Sequence, residues 1–130
     1  MSKVVEALHD SDLDFAFRNT GTGSVSAQDV IISTHGFKSF TFNKATETTE
    51  IGAGLDCGEV DAFTEERAPG FAVIGARCPW VGVAGSILVG GLGWLSHEFG
   101  LTSNPQNLLD VQIVLSSGRI ILASEGPDLL

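Results

Sequence analysis

From Gly75 to Gly100 the chain reads Gly-Ala-Arg-Cys-Pro-Trp-Val-Gly-Val-Ala-Gly-Ser-Ile-Leu-Val-Gly-Gly-Leu-Gly-Trp-Leu-Ser-His-Glu-Phe-Gly. Glycines let backbone N–H groups converge on an anion with no side chain in the way, so such a stretch can cradle a diphosphate through peptide dipoles alone. Two familiar phosphate motifs fail here. A P-loop requires Lys and then Ser or Thr after the second glycine of Gly85-x-x-x-x-Gly90, where Gly91-Leu92 stand. A dinucleotide fingerprint beginning at Gly91-Leu92-Gly93 requires Gly or Ala where Ser96 sits, together with a βαβ unit that the surrounding sequence lacks. The nest itself remains, and so does the plainer reading of these glycines as tightly packed turns in a sheet protein.

Nucleophiles and metal ligands are few. Cys57 and Cys78 are the two cysteines, too few for a disulfide framework and without a CxxC spacing for zinc, so both read as free thiols. Cys78 lies in the glycine stretch, where it is either a nucleophile or an inert thiol. His9, His35 and His97 read as surface or packing residues. His97-Glu98 is not part of an HExxH pattern, and no metal is assigned.

The elements that must position these residues follow from local pattern. Val4, Val5, Ala7 and Leu8 suit a short helix broken by Asp10-Ser11-Asp12. Phe15–Arg18 reads as a strand that runs into the loop Asn19-Thr20-Gly21-Thr22-Gly23-Ser24. Asp29–Ser33, Phe40–Phe42 and Thr49–Ala53 read as further strands. Asp56 followed by Glu59 forms a capping box, with Val60 and Phe63 on one face of a helix reaching about Arg67. Pro69-Gly70 ends that helix, and Phe71–Ile74 is a candidate buried strand. Alternation at Val111, Ile113 and Leu115, a Ser117-Gly118 turn and the return Arg119–Ala123 give a β-hairpin. The fold class is α+β, with a largely antiparallel sheet and few helices.

Composition narrows the partners. A length of 130 residues with 43% hydrophobic and 18% charged residues, and a mean hydropathy of +0.23, suits one domain with a real core and excludes intrinsic disorder. Seven basic against sixteen acidic residues give a net charge of −9, which repels nucleic acid. A backbone nest reconciles that charge with an anionic ligand, because its attraction is local. Cys78–His97 has no charged Asp, Glu, Lys or Arg, but its five glycines, one proline and two serines disfavour a membrane span. The first ten residues carry no signal-peptide pattern, so the default compartment is the cytoplasm. Sixteen glycines and no tyrosine are the remaining oddities.

Gly21-x-Gly23-Ser24 after a strand, Ile51-Gly52-Ala53-Gly54, Cys78-Pro79-x-Val81-Gly82-Val83-x-Gly85, Gly90-Gly91-x-Gly93-Trp94-Leu95-Ser96-x-x-x-Gly100 and Pro127-Asp128-Leu129 occur in this order. Together they resemble the FAD-binding domain, of the p-cresol methylhydroxylase type (PCMH-type), of berberine-bridge-enzyme-like FAD-linked oxidoreductases. Asn104-Pro105-Gln106-Asn107 is similar to fungal members. The resemblance implies that Arg18, Asn19, Thr20, Gly21, Thr22, Gly23 and Ser24 form a loop whose backbone holds the FAD diphosphate. It implies that Val81, Gly82, Val83, Gly85 and Ser86, with Gly90 and Gly91, form a second loop near the diphosphate and the flavin. Cys78 falls where bicovalent members attach flavin C6 through sulfur. Where the family usually has Gly-His for the other linkage this chain has Gly21-Thr22, so that histidine linkage is absent.

The resemblance further implies a strand and helix before Met1 and a substrate domain beyond Leu130, so that residues 1–130 are part of a PCMH-type domain. No catalytic acid or base is assigned, since in many members a Tyr or Glu of that other domain serves. The favoured function is therefore the FAD-binding portion of an oxidoreductase that takes hydride from a small organic substrate, in the setting of secondary metabolism. The alternative is a non-catalytic remnant acting as an interaction module, with self-association through exposed edges and apolar surface. A membrane-associated protein is the least favoured reading.

Overall fold

The computed structural model describes residues 1–23 and 25–125. In chain order the elements are α1 (Ser2–His9), β1 (Phe15–Arg18), β2 (Val30–Ser33), β3 (Phe40–Asn43), β4 (Thr48–Ile51), α2 (Cys57–Arg67), α3 (Val83–Leu88), α4 (Ser96–Phe99), β5 (Gln112–Val114) and β6 (Ile120–Leu122), with a 3₁₀ turn at Ala123–Glu125. Among the described residues the strands form three two-stranded sheets. β3–β4 and β5–β6 are antiparallel, whereas β1–β2 is parallel. The architecture is α+β with few helices and mainly antiparallel pairing, as the turn-rich sequence implies.

The parallel pair is the part that alternation could not reveal, because pairing direction depends on the path of the connection. That path is closed at its base by reciprocal bonds: Asp14 N–H donates to Asp29 Oδ2 at 2.8 Å, and Gln28 N–H donates to Asp14 Oδ2 at 2.7 Å. The loop Asn19–Gly23 therefore leaves one end of a pinned ribbon.

The capping box forms as its spacing dictates. Asp56 Oδ1 accepts from Glu59 N–H at 2.8 Å, and Glu59 Oε2 accepts from Asp56 N–H at 3.1 Å. Spacings of three and four then place Cys57, Val60 and Thr64 on the buried face of α2. The Thr64 hydroxyl donates to Val60 O at 2.7 Å, so no polar group is stranded there. At the far end Arg67 stacks on Phe63, 4.4 Å from the ring centroid, and donates to Phe40 O at 3.0 Å.

The core is Phe40, Leu55, Cys57, Val60 and Val83, drawn from β3, the 52–56 turn, α2 and α3. Register explains the β3 contribution: Phe40 and Phe42 share a face, opposite Ile51 and Thr49, while Thr41 points outward. α1 buries Val5 and Leu8, and its Ser2 hydroxyl donates to Gly118 O in the β5–β6 turn.

Two expectations change. Phe71–Ile74 is not a strand: Phe71 and Ala72 are exposed, no strand among the described residues pairs with the segment, and it runs as an irregular connection with Val73 packed on the core. Apolar β-branched character alone does not supply a partner. β4 ends at Ile51 rather than Ala53, although single bonds from Gly52 N–H to Ser39 O and from Gly54 N–H to Phe37 O carry the β3–β4 register a little further. Cys78–His97 is broken into α3 and a turn leading to α4, and among the described residues no helix is long and apolar enough to cross a membrane.

Candidate functional site

Three segments meet beside the N-terminus of α3. Gly21 sits at φ +81°, a left-handed conformation that lets the chain leave β1 and turn back on itself. The Arg18 side chain folds beneath it, since a Cβ on Gly21 would lie 3.2 Å from Arg18 Cδ. Among the described residues Arg18 has no ion-pair partner, so its positive charge is left beside this loop. Thr20 and Thr22 share a hydroxyl–hydroxyl bond of 3.0 Å.

The second segment, Cys78–Gly82, runs antiparallel to Leu55–Gly58. Cys57 N–H donates to Val81 O at 2.9 Å, Gly58 N–H to Pro79 O at 2.8 Å, and Val83 N–H to Leu55 O at 3.0 Å. This ladder aims the start of α3 at the first loop. Thr22 Oγ1 reaches Trp80 O at 3.4 Å, and the Asn19 carboxamide lies on Gly82. A Cβ on Gly82 would stand 2.7 Å from Asn19 Cγ, so the approach of the two loops requires glycine there.

Unpaired donors collect at this junction. Among the described residues the N–H groups of Thr20, Gly21, Thr22 and Gly23 have no hydrogen-bond partner, and neither do those of Ala84 and Gly85 in the first turn of α3. Gly23 and Gly85 face open space, because a Cβ on either would meet nothing within 4 Å. Free N–H groups on two loops, bare glycine surfaces and the Arg18 guanidinium suit an anionic diphosphate. The residues fit the diphosphate of FAD.

The remaining expected site residues divide. Val81 and Val83 turn their side chains inward, Val83 being a core residue, and so offer only backbone to a ligand. Ser86 N–H is used by Gly82 O at 3.1 Å. Gly90 and Gly91 are both left-handed, at φ +111° and +69°, but their carbonyls accept from Ser103 and Thr102 N–H groups, each at 3.1 Å. No hydrogen bond joins them to the first loop among the described residues. Ser24 and Pro127-Asp128-Leu129 lie outside the described residues.

Cys78 is an exposed free thiol at the edge of this junction. Next to it Arg77 stacks over Trp94, 5.4 Å from the ring centroid. Cys57 is the opposite case: burial pushes its thiol up from its ordinary pKa and leaves it inert. His9, His35 and His97 are all exposed.

Sequence reasoning missed Thr102 and Leu55. The Thr102 hydroxyl is 2.6 Å from Ile74 O and 3.0 Å from Gly91 O, and Leu55 O receives both Asn19 Nδ2 and Val83 N–H, each at 3.0 Å. Neither lies in a periodic pattern. Only the glycine at each partner, Gly91 and Gly82, hinted at a close approach.

The family model described as FAD binding domain matches residues 1–124. An uncharacterised FAD-linked oxidoreductase of Arthroderma benhamiae is 34% identical over 99% of this chain, and berberine bridge enzyme-like 5 of Arabidopsis thaliana is 31% identical over 77%. The chain covers 27% and 19% of those two proteins, so it spans about a quarter or less of their length. Among solved structures, Physcomitrella patens BBE-like 1 superposes on 94% of the chain with a TM-score of 0.81 at 29% identity, matching 27% of that structure. The 6-hydroxy-D-nicotine oxidase of Arthrobacter nicotinovorans covers 98% with a TM-score of 0.86 at 26% identity, matching 28% of its chain. The chain belongs to the FAD binding domain family, in the form carried by berberine-bridge-enzyme-like FAD-linked oxidoreductases.

Proposed function

We propose that this chain supplies the diphosphate-holding part of the cofactor site of an FAD-linked oxidoreductase acting on a small organic molecule. The observation that carries this reading is the pairing of N–H groups that have no partner among the described residues, Thr20–Gly23 on one loop and Ala84–Gly85 on the other, across the contact of Asn19 with Gly82. Arg18 adds the one side-chain cation of the first loop. When bound, FAD supplies the redox chemistry by accepting hydride from the substrate, while the protein orients it and tunes it. The chain's own part is to neutralise the diphosphate and to fix where the flavin points, with the exposed thiol of Cys78 as the group available to the flavin ring.

Residues 1–130 serve in this reading as part of a PCMH-type domain, with the substrate held by polypeptide outside them. The relatives' greater length supports that division. A net charge of −9 does not oppose FAD, because the nest acts over a few ångströms and distant surface charge is screened beyond about 8 Å at physiological salt. Titration of the purified chain with FAD, followed by quenching of flavin fluorescence, tests the reading. Saturable quenching is expected, and a flat titration overturns it.

Open sheet edges and the exposed apolar residues Leu88, Val89, Leu92 and Trp94 also favour self-association of the isolated chain. Sedimentation velocity over a range of concentrations reads this, and a single monomeric species at all of them overturns it.

A further inference from the structure

We propose that Asn19 is a positioning residue whose side chain does not touch FAD but locks the two diphosphate loops in register. The proposal rests on the cofactor-site reading above and names what holds its two halves together.

Both hydrogens of Asn19 Nδ2 are engaged within the protein, one with Ala53 O at 2.6 Å and one with Leu55 O at 3.0 Å. A carboxamide nitrogen has two donors, so none is left for a ligand. The partners also fix the orientation, because a flipped amide would set its oxygen against two carbonyl oxygens. Leu55 O accepts Val83 N–H as well, at 3.0 Å, so a single carbonyl ties the first loop to the first residue of α3. On its other side the carboxamide rests against Gly82, where a Cβ would be 2.7 Å from Asn19 Cγ and 3.0 Å from Nδ2. The donors of Thr20–Gly23 flank Asn19 in sequence, and those of Ala84–Gly85 follow Gly82 by two and three positions. Sliding the carboxamide therefore changes the distance between the two sets of donors. A diphosphate can use both sets together only at a fixed spacing.

The experiment compares Asn19→Ala, Asn19→Asp, Gly82→Ala and the double variant with wild type, in thermal unfolding and in FAD titration well below every midpoint. Asn19→Ala and Asn19→Asp are expected to weaken FAD binding tenfold or more while the chain stays folded by circular dichroism. A residue with only a structural role would lower the midpoint and leave the affinity of the folded chain unchanged. Gly82→Ala is expected to lower the midpoint sharply, and Asn19→Ala in the same chain to recover part of that loss by making room for the methyl group. If Gly82→Ala does not fold alone, folding of the double variant is the same recovery. Additive midpoints, or wild-type FAD affinity in Asn19→Ala, overturn the lock. No FAD binding by wild type would instead overturn the cofactor-site reading, and the recovery in midpoint would then show the loop lock standing without it.

Discussion

The Thr102 hydroxyl bridges two chain segments by lying 3.0 Å from the carbonyl of Gly91 and 2.6 Å from that of Ile74. Thr102 is 7% exposed, and its N–H also donates to Gly91 O at 3.1 Å. The glycine turn after α3 is thus fastened to the 71–76 connection by one side chain. Thr102→Val keeps the shape and removes the donor, and is expected to cost about 1–3 kcal/mol. Thr102→Ser is expected to recover most of it. Equilibrium urea unfolding checks both.

Gly91 meets the same residue from the other side. Its φ of +69° disfavours any side chain, and a Cβ would lie 2.5 Å from Thr102 Cβ. Gly91→Ala is therefore expected to destabilise by about 2 kcal/mol or more, combining backbone strain with overpacking. The same measurement applies, and a change within 0.5 kcal/mol would contradict the close approach.

Gly85 should behave in the opposite way. A methyl group there meets nothing within 4 Å, and the position is inside α3, where alanine is favoured over glycine by about 1 kcal/mol. Gly85→Ala is expected to raise the unfolding midpoint and to weaken FAD binding by covering the bare backbone. Paired melting and fluorescence titration separate the two effects; stronger binding would argue against a cofactor at this face.

The two thiols are expected to differ in reactivity. Exposed Cys78 should react with a thiol reagent in the native chain, and buried Cys57 only after unfolding, since burial holds its thiol above the ordinary range. Mass spectrometry of peptides after brief alkylation reads the ratio. FAD binding is expected to slow the Cys78 reaction, and Cys78→Ala to leave stability unchanged within about 0.5 kcal/mol.

Acid should act through Glu59. The Lys38 side chain hydrogen-bonds to its carboxylate and lowers its pKa below the usual glutamate value. A carboxyl group with a lowered folded-state pKa contributes stability above its unfolded pKa and loses it as pH falls through the folded one. The loss therefore begins below about pH 4.5. Asp110, hydrogen-bonded by Ser124, acts in the same sense, and Asp61, raised by burial, acts in the opposite sense. Unfolding midpoints from pH 7 to pH 3 should fall less steeply in Glu59→Gln than in wild type, and parallel curves would refute this role.

Local pattern alone determined a good part of this protein. Asp56 and Glu59 stand three apart, and that spacing is itself the capping box, so α2 was legible before any packing. Alternation in the sequence likewise placed the β5–β6 hairpin and β3. Phe71–Ile74 has strand-like residues but no partner, and pairing is a property of the fold rather than of the segment.

The site divides in the same manner. Glycine-rich composition pointed to both loops, because glycine permits close backbone approach and, as at Gly21, tolerates φ near +80°. The sequence could not distinguish Gly85, which faces open space, from Gly91, which is wedged against Thr102, since both are simply glycine. Nor could it show that the Asn19 side chain, flanked by exposed loop residues, is consumed by Ala53 and Leu55, which lie 34 and 36 positions away. Contacts across such distances exist only once β1, the 52–56 turn and α3 are packed together, and tertiary structure alone decided which glycines face open space and which are wedged against a neighbour.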